Sequence, residues 1–200
     1  SNAKAGSCNP RGFLAPIADL YKTQVYALCR HINATRGMMI PEGILTIVPS
    51  AELSSEQNVD EGKGDPIQYE YHDKLLWQLV EMRRDPEFIL EKFQAGKLEE
   101  ALGLTKMVVC HSREGGNPGE MDPRVEPEDD RNCFFPTTEA FIKDLERIYA
   151  LLKINFFKRV QTPPILTVSK RAFGFDLREA QNGVYYTRNY RRLKEALLAK

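Results

Sequence analysis

Leu14-Ala-Pro-Ile-Ala-Asp-Leu-Tyr-Lys-Thr-Gln-Val-Tyr26, read with Ile40-Pro-Glu-Gly-Ile-Leu-Thr-Ile-Val-Pro-Ser-Ala-Glu-Leu53, is the part of this chain that decides its fold. Asp19 has the side chain to cap a helix that runs through about Asn33. Tyr21, Val25, Leu28, Cys29 and Ile32 recur at spacings of four, three, one and three, which makes one apolar stripe. Lys22 and Thr23 fall on the first turn, off that stripe. In the second stretch, Ile44 to Val48 reads as extended, and Pro49-Ser50 opens a polar, acidic loop. A cation beside a helix N-terminus, with a hydroxyl on a nearby loop, suits a polyphosphate. No Gly-rich phosphate loop occurs in the sequence, so the pattern is part of a site.

Outward from there, Gly37 breaks the chain, and Ala51 to Gln68 is a long loop interrupted by Gly62, Gly64 and Pro66. Helical periodicity returns from about Glu70, where Leu75, Leu76, Leu79 and Met82 share a face with Trp77 near its edge. Asp85-Pro86 is a cap followed by proline at the first helical position, and that helix ends near Gly96. A short helix over 97–102 stops at Gly103. Thr137 opens a periodic helix through Phe141, Leu145, Ile148, Tyr149 and Leu152. Thr162-Pro163-Pro164 forces extended chain, and Ile165 to Val168 reads as a short strand. A last helix over about 187–199 turns Tyr190, Leu193 and Leu197 inward. That amphipathic helix explains the interleaving of Tyr185, Tyr186 and Tyr190 with Arg188, Arg191 and Arg192 better than nucleic-acid binding does.

Residues 106–131 have a different character, rich in Gly, Pro and acid with almost no apolar periodicity. Such a stretch buries too little surface to offset its ordering entropy, and it reads as an insertion in a surface loop between two helices. It is similar to translated dispersed-repeat elements inside some bacterial reading frames. A reactive Cys110/His111 pair, or a metal loop on the acidic run, is the weaker reading, because adjacent residues rarely converge on one ligand. Cys8, Cys29, Cys110 and Cys133 show neither C-x-x-C spacing nor a paired-His zinc pattern, which predicts reduced thiols in a cytoplasmic protein. No apolar run approaches membrane-spanning length, and no signal peptide opens the chain. Ser1-Asn2-Ala3 looks like the remnant of a cleaved expression tag.

The 28 basic and 28 acidic residues cancel, so bulk charge points to neither nucleic acid nor membrane. Their distribution is uneven. Residues 153–200 hold eleven Lys or Arg against three acids, and residues 51–73 hold seven acids against Lys63 alone. This asymmetry suits a site that handles a polyanion together with a metal ion or amine, and equally suits two solvated faces.

Four stretches, in order, resemble glutamine-dependent NAD synthetase, specifically the C-terminal part of its ATP-using domain. They are the two quoted first, then Asn58-Val-Asp-Glu-Gly-Lys-Gly-Asp-Pro66 with Tyr71-His-Asp73, and Phe157-Lys-Arg-Val-Gln-Thr-Pro-Pro-Ile165. Arg171-Ala-Phe-Gly-Phe-Asp-Leu-Arg-Glu-Ala-Gln181 stands behind the last. The resemblance covers nearly all the chain outside 106–131. It implies a mainly α fragment, residues 4–105 and 132–200, forming the C-terminal portion of an α/β adenine-nucleotide-hydrolase-like (ATP pyrophosphatase) domain.

The activity so implied is a ligase that amidates nicotinate adenine dinucleotide to NAD through an acyl-adenylate, using ATP, Mg²⁺ and ammonia from glutamine. Lys22 matches the family lysine that contacts ATP, and Ser50 stands where the family carries a hydroxyl residue that also contacts ATP. Lys158 matches a lysine that contacts the dinucleotide; for its neighbour Arg159 the resemblance carries over no role, and the two residues equally suit support of one anion or cover for the C-terminal end of a neighbouring helix. The loop from Glu52 to Asp65 matches a mobile loop over the site, with Gly62 and Gly64 as its hinges. His72 reads as a packed or surface histidine.

No catalytic residue or metal ligand is assigned, because the family's phosphate loop, a substrate arginine and its Mg²⁺ glutamate precede residue 1, and the glutaminase domain is absent. The expectation is a fragment inactive alone. Its partners are ATP, the dinucleotide, the remainder of the synthetase with its glutaminase domain, and a further copy if it oligomerises; nucleic acid and membrane are not among them. The rival reading is a non-catalytic helical interaction module that binds a partner through residues 153–200.

Overall fold

A computed structural model of the chain describes residues 14–47, 67–110 and 133–199. Helices dominate these residues, with one two-stranded parallel sheet. The chain divides into two compact units, Ser1–Asp73 with Gln161–Phe173, and Lys74–Val160 with Gly174–Lys200.

The first unit holds α1 (Lys22–Arg36), α2 (Glu42–Thr46) and the opening of α3 (Tyr69–Leu76). α1 starts after Tyr21, which occupies the N-cap position in extended conformation, and Gly37 stops it at φ 79°. Asp19 is not its cap. The Asp19 carboxylate instead accepts the backbone N–H groups of Val168 (2.8 Å), Ser169 (2.7 Å) and Phe173 (2.8 Å), and the Ser169 hydroxyl (2.9 Å). Four donors from a distant segment outcompete a local cap. The same segment meets the chain again where Ala15 N–H donates to the Pro164 carbonyl at 2.9 Å. The isolated parallel bridge Ala15–Ile165 is what stands in place of a strand over 165–168.

Two further expectations change in this unit. No residue of α1 is buried: along the stripe Val25, Cys29 and Ile32 are half-buried and Leu28 is exposed. The run 44–48 is not extended as far as it is described. Pro41 starts α2, Glu42 sits in its first turn where the helix dipole favours an acid, and Leu45 is buried. These local start signals outweigh the β-preference of Ile44 and Thr46.

In the second unit α3 continues through a π-helical turn, Trp77–Glu81, into α4 (Pro86–Gln94) and α5 (Leu98–Leu102). The wider π turn rotates the apolar face: Leu75, Leu76 and Leu79 are buried, whereas Met82 and Trp77 are exposed. Asp85 caps α4 by accepting from Phe88 N–H, with Pro86 at the first position, and Gly103 ends α5 in the left-handed region. β1 (Met107–Val109) and β2 (Cys133–Phe135) pair in parallel, Met107 opposite Cys133 and Val109 opposite Phe135. α6 (Thr138–Ile154), α7 (Phe156–Val160), α8 (Leu177–Ala180) and α9 (Arg188–Leu198) complete it. Thr137 and Thr187 cap α6 and α9 through their hydroxyls.

Phe141, Leu145, Ile89, Leu90, Leu98 and Val108 form the fully buried heart of this unit. Phe141 lies against Phe93 and Phe135, with ring centroids 4.7 and 5.9 Å apart. Because Val108 and Val109 are buried in the sheet, Met107–Val109 do not belong to a surface loop, although composition assigned them to one. Three apolar residues suffice for a strand and are too few to register as periodicity. Residues 111–131, the rest of that segment, lie outside the described residues. Cys110 and Cys133, read as reduced thiols, are joined as a disulfide with Cα atoms 5.3 Å apart. The parallel pairing brings the two together, which spacing alone does not reveal. Cys29 is a free thiol.

Candidate functional site

Lys22 is the first residue of α1, half-buried. Its ammonium sits 5.1 Å from the ring centroid of Tyr26, one turn on, and 6.0 Å from that of Tyr69 at the start of α3. Beside it, the helix N-terminus is already filled. Asp73 Oδ2 accepts the Thr23 backbone N–H and the Thr23 hydroxyl, both at 2.7 Å, and Gln24 Oε1 accepts the Tyr21 N–H at 2.9 Å. Two of the orphan amides at the head of α1, those of Tyr21 and Thr23, are thus taken by the protein's own side chains. The aromatic faces hold the ammonium without neutralising it, which leaves its charge available to a phosphate.

Ser50 and the loop from Glu52 to Asp65, with Gly62 and Gly64, lie outside the described residues. His72 is buried, and its Nδ1 accepts the Gln68 N–H at 2.8 Å, a structural role within the α3 start. The Asp19 carboxyl is pushed up by burial, yet the amides of Ser169, Val168 and Phe173 and the Ser169 hydroxyl bring it below its ordinary value.

Lys158 belongs to the other unit. It lies exposed on α7, its backbone N–H donating to the Asn155 carbonyl at 3.1 Å. Arg159 does not face the same anion. Its side chain is buried, and Nη2 donates to Asp176 Oδ2 and to the Leu152 carbonyl, each at 2.8 Å. Adjacent residues on a helix point about 100° apart. Arg159 is turned inward, whereas Lys158 is exposed.

The basic C-terminal region has internal business as well. Tyr186 stacks on Tyr190 at 4.6 Å between centroids, and the Tyr190 hydroxyl and Lys194 both meet Glu146, at 3.1 and 2.7 Å. Burial, with Glu146 nearby, pushes the Tyr186 hydroxyl up to about 12. Tyr190, Leu193 and Leu197 face inward, as the sequence pattern predicts.

Asp73, Tyr69 and Asp176 escaped sequence reasoning because their partners are distant in sequence: Asp73 reaches Thr23 across fifty positions. Among the described residues, no group of three or more His, Cys, Asp or Glu side chains is placed to hold a metal ion, and no helix is long and apolar enough to cross a membrane.

Comparison with known proteins gives a consistent result over the first half of the chain. The NAD synthase family model matches residues 10–109. A glutamine-dependent NAD(+) synthetase of Synechocystis sp. is 44% identical over 79 residues, 40% of this chain and 13% of that protein. An NH(3)-dependent NAD(+) synthetase of Chlorobium phaeobacteroides is 38% identical over 77 residues, 38% of this chain and 25% of that protein. A glutamine-dependent NAD(+) synthetase of Thermotoga maritima is 43% identical over 82 residues, 40% of this chain and 14% of that protein. The chain therefore spans no more than a quarter of the length of these relatives. No solved structure matches it.

Proposed function

Because the chain belongs to the NAD synthase family, we propose that it is the C-terminal part of an ATP pyrophosphatase-type synthetase domain and carries a portion of its nucleotide site. The reaction is amidation of nicotinate adenine dinucleotide. A carboxylate oxygen of that substrate attacks the α-phosphorus of ATP and pyrophosphate leaves. Ammonia then adds to the acyl carbon, AMP departs with the electrons of the C–O bond, and the nitrogen gives up a proton. The first step brings two anions together, so preorganised cations dominate its energetics.

Lys22 is the cation for the triphosphate, and Lys158 the cation for the dinucleotide; Ser50 adds a hydroxyl to the ATP contact. Mg²⁺ on the triphosphate would supply further charge neutralisation. Among the described residues no group of three or more His, Cys, Asp or Glu side chains is placed to form its ligand set. Partners under this reading are ATP, the dinucleotide, the remainder of the synthetase domain and a glutaminase domain, in the cytoplasm. Lacking a Gly-rich phosphate loop in its sequence, the chain by itself does not turn over.

The observation that carries the proposal is Lys22, held over Tyr26 at the head of α1 inside the family-matched segment. Calorimetric titration of ATP into the chain tests it. Lys22→Ala keeps the helix, since alanine is the better helix former. The lost charge-assisted bond weakens ATP binding by roughly ten- to a hundredfold, the equivalent of about 1.5–3 kcal/mol. Lys22→Arg restores it only in part, because a planar fork replaces a point charge. Unchanged ATP affinity in a folded Lys22→Ala chain removes Lys22 from the site.

A further inference from the structure

We propose that the buried Arg159–Asp176 ion pair is a positioning device for Lys158. The proposal rests on the reading of Lys158 as the dinucleotide contact and adds to it two residues that touch no substrate.

The Arg159 side chain is 2% exposed and that of Asp176 is 11% exposed. One nitrogen, Nη2, makes both of the guanidinium's bonds, to Asp176 and to the Leu152 carbonyl, and Nη1 has no hydrogen-bond partner among the described residues. Leu152 lies in the last turn of α6, where carbonyls lack helical partners and a cation is favoured. Arg159 therefore ties three pieces of chain together: the end of α6, α7 itself, and the turn that carries Asp176. That turn is shaped for the purpose. Gly174 has φ 91°, Leu177 N–H closes onto the Gly174 carbonyl at 3.2 Å, and a Cβ on Gly174 would meet Arg159 Cβ at 3.8 Å. Lys153 adds a second tie, its ammonium donating to the Glu179 carbonyl at 3.0 Å.

α7 has only five residues and exposes Phe157, Lys158 and Val160. Such a helix has little packing of its own to set its rotation. Arg159 is its buried residue, so the ion pair decides which way Lys158 faces. A buried ion pair is costly to assemble and is often replaceable by apolar side chains without loss of stability. Orientation is what an apolar pair does not reproduce.

The test uses the whole chain in four forms: wild type, Lys158→Ala, Asp176→Asn, and the two changes combined. Each is titrated with nicotinate adenine dinucleotide and followed by amide hydrogen exchange. Asp176→Asn should weaken binding about tenfold, as Lys158→Ala does, and the combined variant should be no worse than Lys158→Ala. Exchange over 156–160 should accelerate in Asp176→Asn while the interior of α6 stays protected. The apolar double variant Arg159→Met/Asp176→Leu should keep its melting temperature yet lose the same affinity, which a purely structural role does not produce. Unchanged exchange over 156–160 in Asp176→Asn, or losses that add in the combined variant, overturns the proposal. If Lys158→Ala binds like wild type, or wild type does not bind, the dinucleotide reading fails, and exchange alone decides whether the pair orients α7.

Discussion

Asp73 caps α1 from fifty residues away, one carboxylate oxygen accepting both the amide and the hydroxyl of Thr23 at 2.7 Å. An anion at a helix N-terminus is a familiar arrangement, and here the protein supplies the anion itself. The first turn is held firmly, and the neighbouring Lys22 directs its ammonium to the Tyr26 and Tyr69 rings.

Removing that carboxylate should be felt locally before it is felt globally. Asp73→Ala should destabilise the chain by about 1–2 kcal/mol, and Thr23→Ala by less, since it keeps the amide bond. Asp73→Asn retains an acceptor and falls between. Urea midpoints together with exchange of the Thr23 amide measure this. The double variant should lose less than the sum of its parts if the two residues act as one unit.

Asp19 makes acid stability a readout of the first unit. Its folded carboxyl lies below the ordinary 3.8, so the unfolded chain binds the proton more readily. The stabilisation is complete above the unfolded value and is lost as pH falls from about 4 through the lower folded value. Asp19→Asn should melt earlier than wild type at neutral pH, and the gap between them should close below pH 4. Melting temperatures measured from pH 7 to pH 2 check the sign; a gap that widens in acid contradicts it.

The Cys110–Cys133 bond closes a loop of sequence separation 23. A closed loop of that size should contribute about 3 kcal/mol through the unfolded state. A non-reducing peptide map should recover the cross-link. Reductant should abolish it and lower the urea midpoint, and Cys133→Ser should lower it equally without reductant. A protein kept in a reducing cytoplasm would start from the weaker form.

Burial separates two helices that look alike in sequence. Phe141→Ala, in α6, should cost about 3–5 kcal/mol, because the ring is enclosed by Phe93 and Phe135. Leu28→Ala, at an exposed position of α1, should stay within about 0.5 kcal/mol. Thermal or urea unfolding of both variants distinguishes them.

That contrast shows what was legible beforehand. α4, α6 and α9 announce themselves through local signals, a capping Asp85-Pro86, Thr137 and Thr187, each followed by an apolar stripe that the structure buries. The start of α1 was misplaced because the competition for Asp19 comes from residues 168–173, and no local pattern reports an interaction across 150 positions. α7 and α8 are too short to show a period. Lys22 and Lys158 are visible in the sequence as residues, whereas the neighbours they pack beside, Tyr69 for Lys22 and the Arg159–Asp176 pair for α7, are not. Arg159 sits next to Lys158 in sequence and does a different job, since a helix separates neighbours by direction.

Asp19 also constrains the order in which the protein can be made. Its partners, Val168 to Phe173, follow about 150 residues later, and they emerge only after roughly 8 to 30 s of further translation at about 5–20 residues per second. Until then the Asp19 carboxylate lacks the four donors that hold it in the folded unit. Of the second unit, the part from Lys74 to Val160 is synthesised in that interval. A nascent chain stalled before residue 168 should therefore leave the segment around Asp19 open to chaperone and protease alike, and the thirteen-residue return through Gln161–Phe173 acts as the clasp that ends that exposure.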